Sequence, residues 1–317
     1  MRNNNLDVLK IIMAFLVIAL HIFPVSKVTG IEGLISYEIA SGITRIAVST
    51  FFLISGYFLR NKLNDKPYLW KYTKRILLLY VVWQFIYLPD LIRFYNLGWF
   101  SKSDMILKLI YGYWHLWYLL ATTIAVGLLY LLRNLSTAIK TKLILFLLIL
   151  GYSFQIGIQS NRLDLMFLYE IIGTTRNYLF FALPMMMIGT MYDKWKDEIP
   201  QFKWLFIPLW IILLIEVGMY YKYKVKAMDF LLTLPLLSML TFYWINESHQ
   251  SFIQKTIPAT LSLGIYLCHP YAIRMVNELL PEQGFYDWLL KYPIICFLTL
   301  ILWWLMDQIN KKLTYFF

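Results

Sequence analysis

The sequence predicts an all-α fold, a polytopic bundle in which about ten helices cross a lipid bilayer. Three observations lead there. Hydrophobic residues make up 60% of the 317 and charged residues 15%, whereas a soluble domain is roughly half apolar and a quarter charged. The apolar residues fall in runs close to the roughly 20 that a helix needs to cross about 30 Å of hydrocarbon. Aromatic residues reach 18%, as suits a chain whose Trp and Tyr collect at bilayer interfaces.

The expected spans are 6–24, 37–59, 74–92, 115–132, 141–158, 177–192, 203–221, 227–245, 258–277 and 287–309. Pro235 falls near the middle of the eighth and predicts a kink there, because proline removes a backbone bond. The stretch 100–113 reads as a polar-aromatic loop or a short interfacial helix. No linker or repeat divides the chain, so one transmembrane domain over 1–317 is expected.

The net charge of +11 does not point to nucleic acid, because Lys and Arg cluster at helix ends instead of on a soluble face. The lipid bilayer is the expected partner and the cell membrane the expected location. With the N-terminus inside, about 17 of the 29 basic residues fall on the cytoplasmic side. The dense run from Arg60 to Arg75 decides this orientation, against the outer cluster Lys222, Lys224 and Lys226. An even number of spans then leaves both termini cytoplasmic. The first apolar segment carries Asp7 and Lys10 and lacks a small-residue cleavage site, so it reads as a span. Cys268 and Cys296 read as small apolar residues. P-loop, Rossmann, HExxH and C-x-x-C patterns are all lacking, so neither a metal nor a tightly bound cofactor is expected.

An ionisable residue inside a membrane helix is costly and asks for a reason. In the first span Asp7, Lys10, Ala14, Val17 and His21 form one stripe. Lys10 and His21 lie about 16 Å apart along it, the cation near the cytoplasm and the imidazole near the outer surface. Arg45 falls in the outer half of the second span. His115 opens the fourth, Arg176 and Asn177 open the sixth, and Tyr266 and His269 lie near the outer end of the ninth. Any one of these histidines alone reads as an interfacial residue that caps a helix or bonds backbone. Together, at one depth, they read as a polar site. Arg45 cannot shed its charge and needs a carboxylate, a bound anion or several carbonyls; Glu38 and Glu170 are the candidate carboxylates. Glu216 reads equally as a partner for an outer lysine or as a proton-relay group. His249 falls in an inner loop.

Leu6-Asp7-Val8-Leu9-Lys10 and the apolar stretch to His21 resemble the first helix of the acyltransferase 3 family of membrane acyltransferases. Arg45-Ile46-Ala47-Val48 with Phe51-Phe52-Leu53-Ile54-Ser55-Gly56-Tyr57 resembles its second, and His115-Leu116-Trp117-Tyr118-Leu119 its fourth. Ser262-Leu263-Gly264-Ile265-Tyr266-Leu267-Cys268-His269-Pro270 resembles its ninth. The matches keep the family's order over nearly the whole chain. Gly173-Thr174-Thr175-Arg176-Asn177, with Leu179-Phe180-Phe181, further resembles the membrane half of the membrane-bound serine racemases of glycopeptide-resistant bacteria. Their soluble racemase half would follow this region. With the sequence ending at Phe317, the racemase is expected as a separate partner.

For the acyltransferases, the resemblance implies acyl-CoA as co-substrate from the cytoplasm and a small polar or cell-envelope acceptor outside. His21 would be the catalytic base or acyl carrier. Arg45, His115, Arg176, Asn177, Tyr266 and His269 would bind the acceptor, and Lys10 and Arg75 the donor phosphates. For the racemase-like subgroup, the resemblance implies L-serine uptake for the racemase instead. Two departures stand out. The family's first-helix arginine is Lys10 here, which keeps the charge but loses the bidentate fork. The arginine pair that opens its third helix is reduced to Arg75-Ile76, which favours the serine-handling subgroup. A structural partner for another membrane protein is a third reading.

Overall fold

The computed structural model describes residues 3–25, 29–159, 176–225, 228–248, 257–280, 285–313 and 316–317. The regular elements among them are all helical. The longer ones are α1 (Asn4–Ile22), α2 (Gly30–Ser41), α3 (Ile46–Leu59), α4 (Lys66–Asn96), α5 (Lys102–Tyr111), α6 (Trp117–Leu132) and α7 (Thr137–Gln159). There follow a π-helical turn (Tyr178–Ala182), α8 (Leu183–Thr190), α9 (Phe206–Lys222), α10 (Leu234–Asn246), α11 (Leu261–Leu279) and α12 (Phe285–Leu313). Six helical stretches of the described residues are long and apolar enough to cross a bilayer, and three shorter apolar helices accompany them. The chain is an all-α membrane bundle. Its surface agrees: Ile207, Ile211, Ile215, Phe297 and Trp304 are exposed apolar side chains on α9 and α12, positions that water would penalise and lipid does not.

Several expectations change. The span 37–59 is broken at Gly42. There the backbone turns out of the helix (φ −117°, ψ −91°), and the Gly42 N–H closes on the Glu38 carbonyl. The Thr44 hydroxyl donates to the Ile39 carbonyl at 2.7 Å, so the end of α2 is satisfied and Arg45 leaves on a 3₁₀ turn (Ile43–Arg45) directly before α3. The third span extends over Lys66–Asn96. The stretch 100–113 contains α5, started by a capping box of Ser101 and Asp104. Pro235 causes no kink, because α10 starts at Leu234 and places the proline in its first turn, where a missing N–H costs nothing.

Glycines set the tightest crossing. A Cβ on Gly56 would lie 2.0 Å from the Met186 carbonyl oxygen, and one on Gly189 2.1 Å from that of Leu53. The backbones of α3 and α8 are therefore in contact, the close approach that small residues permit between membrane helices. The two helices run in the same direction, since Phe52 meets Phe181, Tyr57 meets Tyr192 and Arg60 pairs with Asp193 at 2.8 Å. Arg45 precedes the first and Arg176 the second. Glu216 pairs with no lysine among the described residues. It accepts hydrogen bonds from Tyr152 (2.9 Å), Tyr220 (3.0 Å) and the Leu232 N–H (3.1 Å), tying α9 to α7 and to the segment before α10.

Candidate active site

Three of the four histidines meet. Pro24 excludes helical backbone at the residue before it; Phe23 is extended (ψ 125°) and α1 ends just beyond His21. The His21 ring stacks on His269 with centroids 5.3 Å apart. His269 lies 5.1 Å from His115 in an edge-on contact. In α11, Pro270 has no N–H to give the Tyr266 carbonyl one turn earlier. His269 Nδ1 lies 2.6 Å from that oxygen, and a carbonyl only accepts, so Nδ1 carries the proton and Nε2 the lone pair. The Tyr266 hydroxyl donates to the His115 carbonyl.

His115 is delivered from the α5–α6 turn. Gly112 has φ +101°, a conformation that suits glycine, and lets the chain turn from α5 into the bundle. Gln84 of α4 fixes the turn: its amide donates to the Lys108 carbonyl at 3.0 Å, and its oxygen accepts the Tyr113 N–H at 2.8 Å. His115 and His269 are 2% and 0% exposed, whereas His21 is exposed. Of the three imidazoles, only His21 offers substantial surface to a bound molecule.

That surface opens on two cavities. One of about 40 Å³ is lined by His21, Arg45, His115, Arg176, Asp229 and Tyr266, among others. The other, about 340 Å³, is lined by His21, His115, His269, Trp99, Trp114 and the exposed Arg93–Glu278 pair. The structure thus brings His21, Arg45, His115, Arg176, Tyr266 and His269 around one centre. Asn177 sits at the edge of this group with its side-chain oxygen committed to capping the π-turn, accepting from the Leu179 and Phe180 N–H groups at 2.9 Å each. Lys10 and Arg75 line neither cavity. Lys10 pairs with Asp7 near the start of α1, and Arg75 is exposed on α4.

The partner of Arg45 is Asp229, not Glu38. The Asp229 carboxylate bonds the Arg45 guanidinium and lies 3.5 Å from Arg176. Gln155 holds the aspartate in place by accepting its backbone N–H at 3.0 Å and that of Phe230 at 2.9 Å. Glu170 lies outside the described residues. Asp229 falls inside the expected eighth span, and a carboxylate at the end of an apolar run opposite an unpaired cation was the signal that could have found it. Two guanidinium groups against one carboxylate leave a net positive charge beside His21. Asp229→Ala is expected to strand Arg45 and to lower stability by about 3–5 kcal/mol, the usual cost of removing one partner of a buried pair. A second change, Arg45→Met, should recover most of it, as read by thermal unfolding in detergent.

Among the described residues no group of three or more His, Cys, Asp or Glu side chains could hold a metal ion. The imidazoles meet ring to ring, with the acid–base capacity of His21 turned to the cavities.

The model of a family of acyltransferase domains, acyltransferase 3, matches residues 3–307. A serine/alanine racemase of Enterococcus gallinarum is 26% identical over 95% of this chain and 45% of its own length. An amino-acid racemase of Enterococcus faecalis is 25% identical over 95% of this chain and 44% of its own. The chain therefore spans about half the length of the curated relatives it matches. No solved structure matches it. With the family match running from the first turn of α1 to the last turns of α12, the chain belongs to the acyltransferase 3 family of membrane proteins.

Proposed function

We propose that the chain is a membrane acyltransferase that moves an acyl group from acyl-CoA to a small polar or cell-envelope acceptor, with His21 as general base. The observation that carries this reading is the position of His21, the accessible imidazole of a buried cluster, at the wall shared by two cavities. The acceptor hydroxyl attacks the thioester carbonyl as His21 takes its proton. The tetrahedral intermediate collapses with loss of the C–S bond, and the proton passes from His21 to the departing thiolate. A new C–O bond has replaced the C–S bond, and free CoA leaves.

His269 and His115 support the reading as positioning groups. His269 stacks on His21 and is held by the Tyr266 carbonyl, His115 backs His269 edge-on, and together they fix the His21 ring where rotation would cost reactivity. The net positive charge of Arg45, Arg176 and Asp229 suits the developing oxyanion or an anionic group on the acceptor. Arg176 is the freer of the two guanidinium groups, since its contact to Asp229 is the longer. The orientation consistent with this scheme places His21 on the extracytoplasmic side, with both termini in the cytoplasm and the donor arriving from within.

One observation favours a second reading, uptake of an amino acid such as L-serine. The relatives named racemases share this region, and the arginine pair is a natural seat for a carboxylate. A racemase on a separate chain would then be the partner. Purified protein in proteoliposomes separates the two. Saturable uptake of labelled L-serine without release of CoA from acetyl-CoA would replace the acyltransferase reading. Release of CoA that depends on an added acceptor, without serine uptake, is the expected result.

A further inference from the structure

A third cavity, of about 200 Å³, lies between α5, α6 and the π-turn. Its floor is the α6 face made by Trp117, Leu120, Ala121 and Ile124, and its charged lining is Lys108, Arg176 and, at the start of α5, Asp104. That pattern has two cations at one end and an apolar trough leading away along a membrane helix. A pocket that encloses a whole drug-sized ligand needs roughly 300–1,000 Å³. At about 200 Å³ this one has room for a headgroup and the upper part of a single chain only.

The surroundings are those of a bilayer interface. α5 buries none of its residues and exposes Ile106, Leu109 and Ile110 beside Trp99 and Trp114, the composition of a helix lying in the interfacial plane. Lys108 forms no ion pair among the described residues, and the carboxylate nearest in sequence, Asp104, is engaged by Ser101 at 2.7 Å and 3.0 Å. Partial burial first, and repulsion from Arg176 second, hold the Lys108 ammonium below the ordinary lysine range, against a smaller upward pull from Asp104. A phosphate between the two cations would relieve that repulsion and form charge-assisted bonds to both.

We propose that this groove binds a phosphate-bearing membrane lipid, its phosphate between Lys108 and Arg176 and one acyl chain along Leu120, Ala121 and Ile124. Arg176 also lines the His21 cavity. The lipid phosphate and Asp229 then share one guanidinium, and occupancy of the groove sets how firmly Arg176 is held beside the site. The proposal does not depend on which reaction the site performs.

The test uses full-length protein in a neutral detergent, with short-chain phosphatidylglycerol added and binding read by native mass spectrometry and thermal shift. Dioctanoylglycerol tests the chain without the phosphate, and inorganic phosphate tests the phosphate without the chain. Phosphatidylglycerol should bind and raise Tm, with the other two at least about tenfold weaker. Lys108→Gln should weaken it by about tenfold or more, the scale of one hydrogen bond to a charged group. Lys108→Arg should restore binding, Ile124→Trp should block the trough, and Lys102→Gln, on the exposed start of α5, should change nothing. Equal binding by wild type and Lys108→Gln, or equal binding of dioctanoylglycerol, overturns the proposal. Inorganic phosphate binding as tightly as the lipid reduces the groove to a free-phosphate site and overturns it too. Should Lys108→Gln fail to fold, failure of Ile124→Trp to reduce binding overturns it alone.

Discussion

His21→Ala is expected to lower acyl transfer by about 10²–10⁴-fold, the range that a positioned general base contributes, while Tm stays within about 1 °C of wild type. The two halves of this result follow from one fact. His21 is exposed on a cavity wall, whereas the His269 ring behind it is fully buried. Removing an accessible ring sacrifices little packing, and large losses of stability come from buried groups. His269→Ala should differ: it leaves the Tyr266 carbonyl with neither a proline N–H nor an imidazole donor, so stability and rate should fall together. The measurement is CoA release from acetyl-CoA by purified variants, with circular dichroism on the same samples. An unaltered rate in folded His21→Ala would remove His21 from the mechanism. For an amino-acid carrier the ranking inverts, and Arg45→Ala should weaken uptake more than His21→Ala.

Gly189→Ala is expected to destabilise the protein by about 3 kcal/mol or more, the upper end of the cost of overpacking. Helix propensity alone predicts the opposite sign, a gain of about 1 kcal/mol on replacing an interior glycine by alanine. The crossing decides. The new methyl group would meet the Leu53 carbonyl oxygen at 2.1 Å, and the nearby obstacles, Tyr57 N and the Gly56 carbonyl carbon, are backbone as well. No rotamer relieves a clash with main chain, so α3 and α8 must separate. Gly127 supplies the control. It is an exposed interior residue of α6 with nothing within 4 Å of a Cβ, and Gly127→Ala should stabilise by about 1 kcal/mol. The comparison is made by thermal or denaturant unfolding in one detergent. A Gly189→Ala protein as stable as Gly127→Ala would mean that the helices do not touch.

The helical membrane fold was legible because runs of apolar residues are a direct response to the thickness of hydrocarbon. Convergence of His21, Arg45, His115, Arg176 and His269 was legible from depth alone, since alternate crossings return to the same surface. What escaped were a partner far away in sequence and the exact ends of helices. Asp229 lies 184 positions from Arg45; a carboxylate at the end of an apolar run was visible, but its pairing with Arg45 was not. The break at Gly42 depends on whether a Thr44 hydroxyl caps α2, which hydropathy does not register. Pro235 carries the same residue type whether it kinks a helix or starts one, and only the position of the helix start distinguishes the cases. Asn177, which the resemblance set among the acceptor-binding residues, spends its side-chain oxygen on capping the π-turn, in keeping with the preference of Asn for helix N-termini.

The contact of α3 with α8 has a consequence for selectivity. Arg45 stands at the head of one helix and Arg176 ahead of the other, and the helices are joined lower down at Gly56 and Gly189. They form the two jaws of a calliper whose pivot is main chain on main chain. With no layer of side chains there to slide or repack, the jaws have no soft joint by which to widen. The spacing of the two chain segments that carry the arginines is then a property of the scaffold, and only the Arg176 side chain is left free to adjust. On the reading proposed above, an anion that fits would meet donors already in place, and a bulkier one would be refused by the rigidity of the joint instead of by a residue in the site.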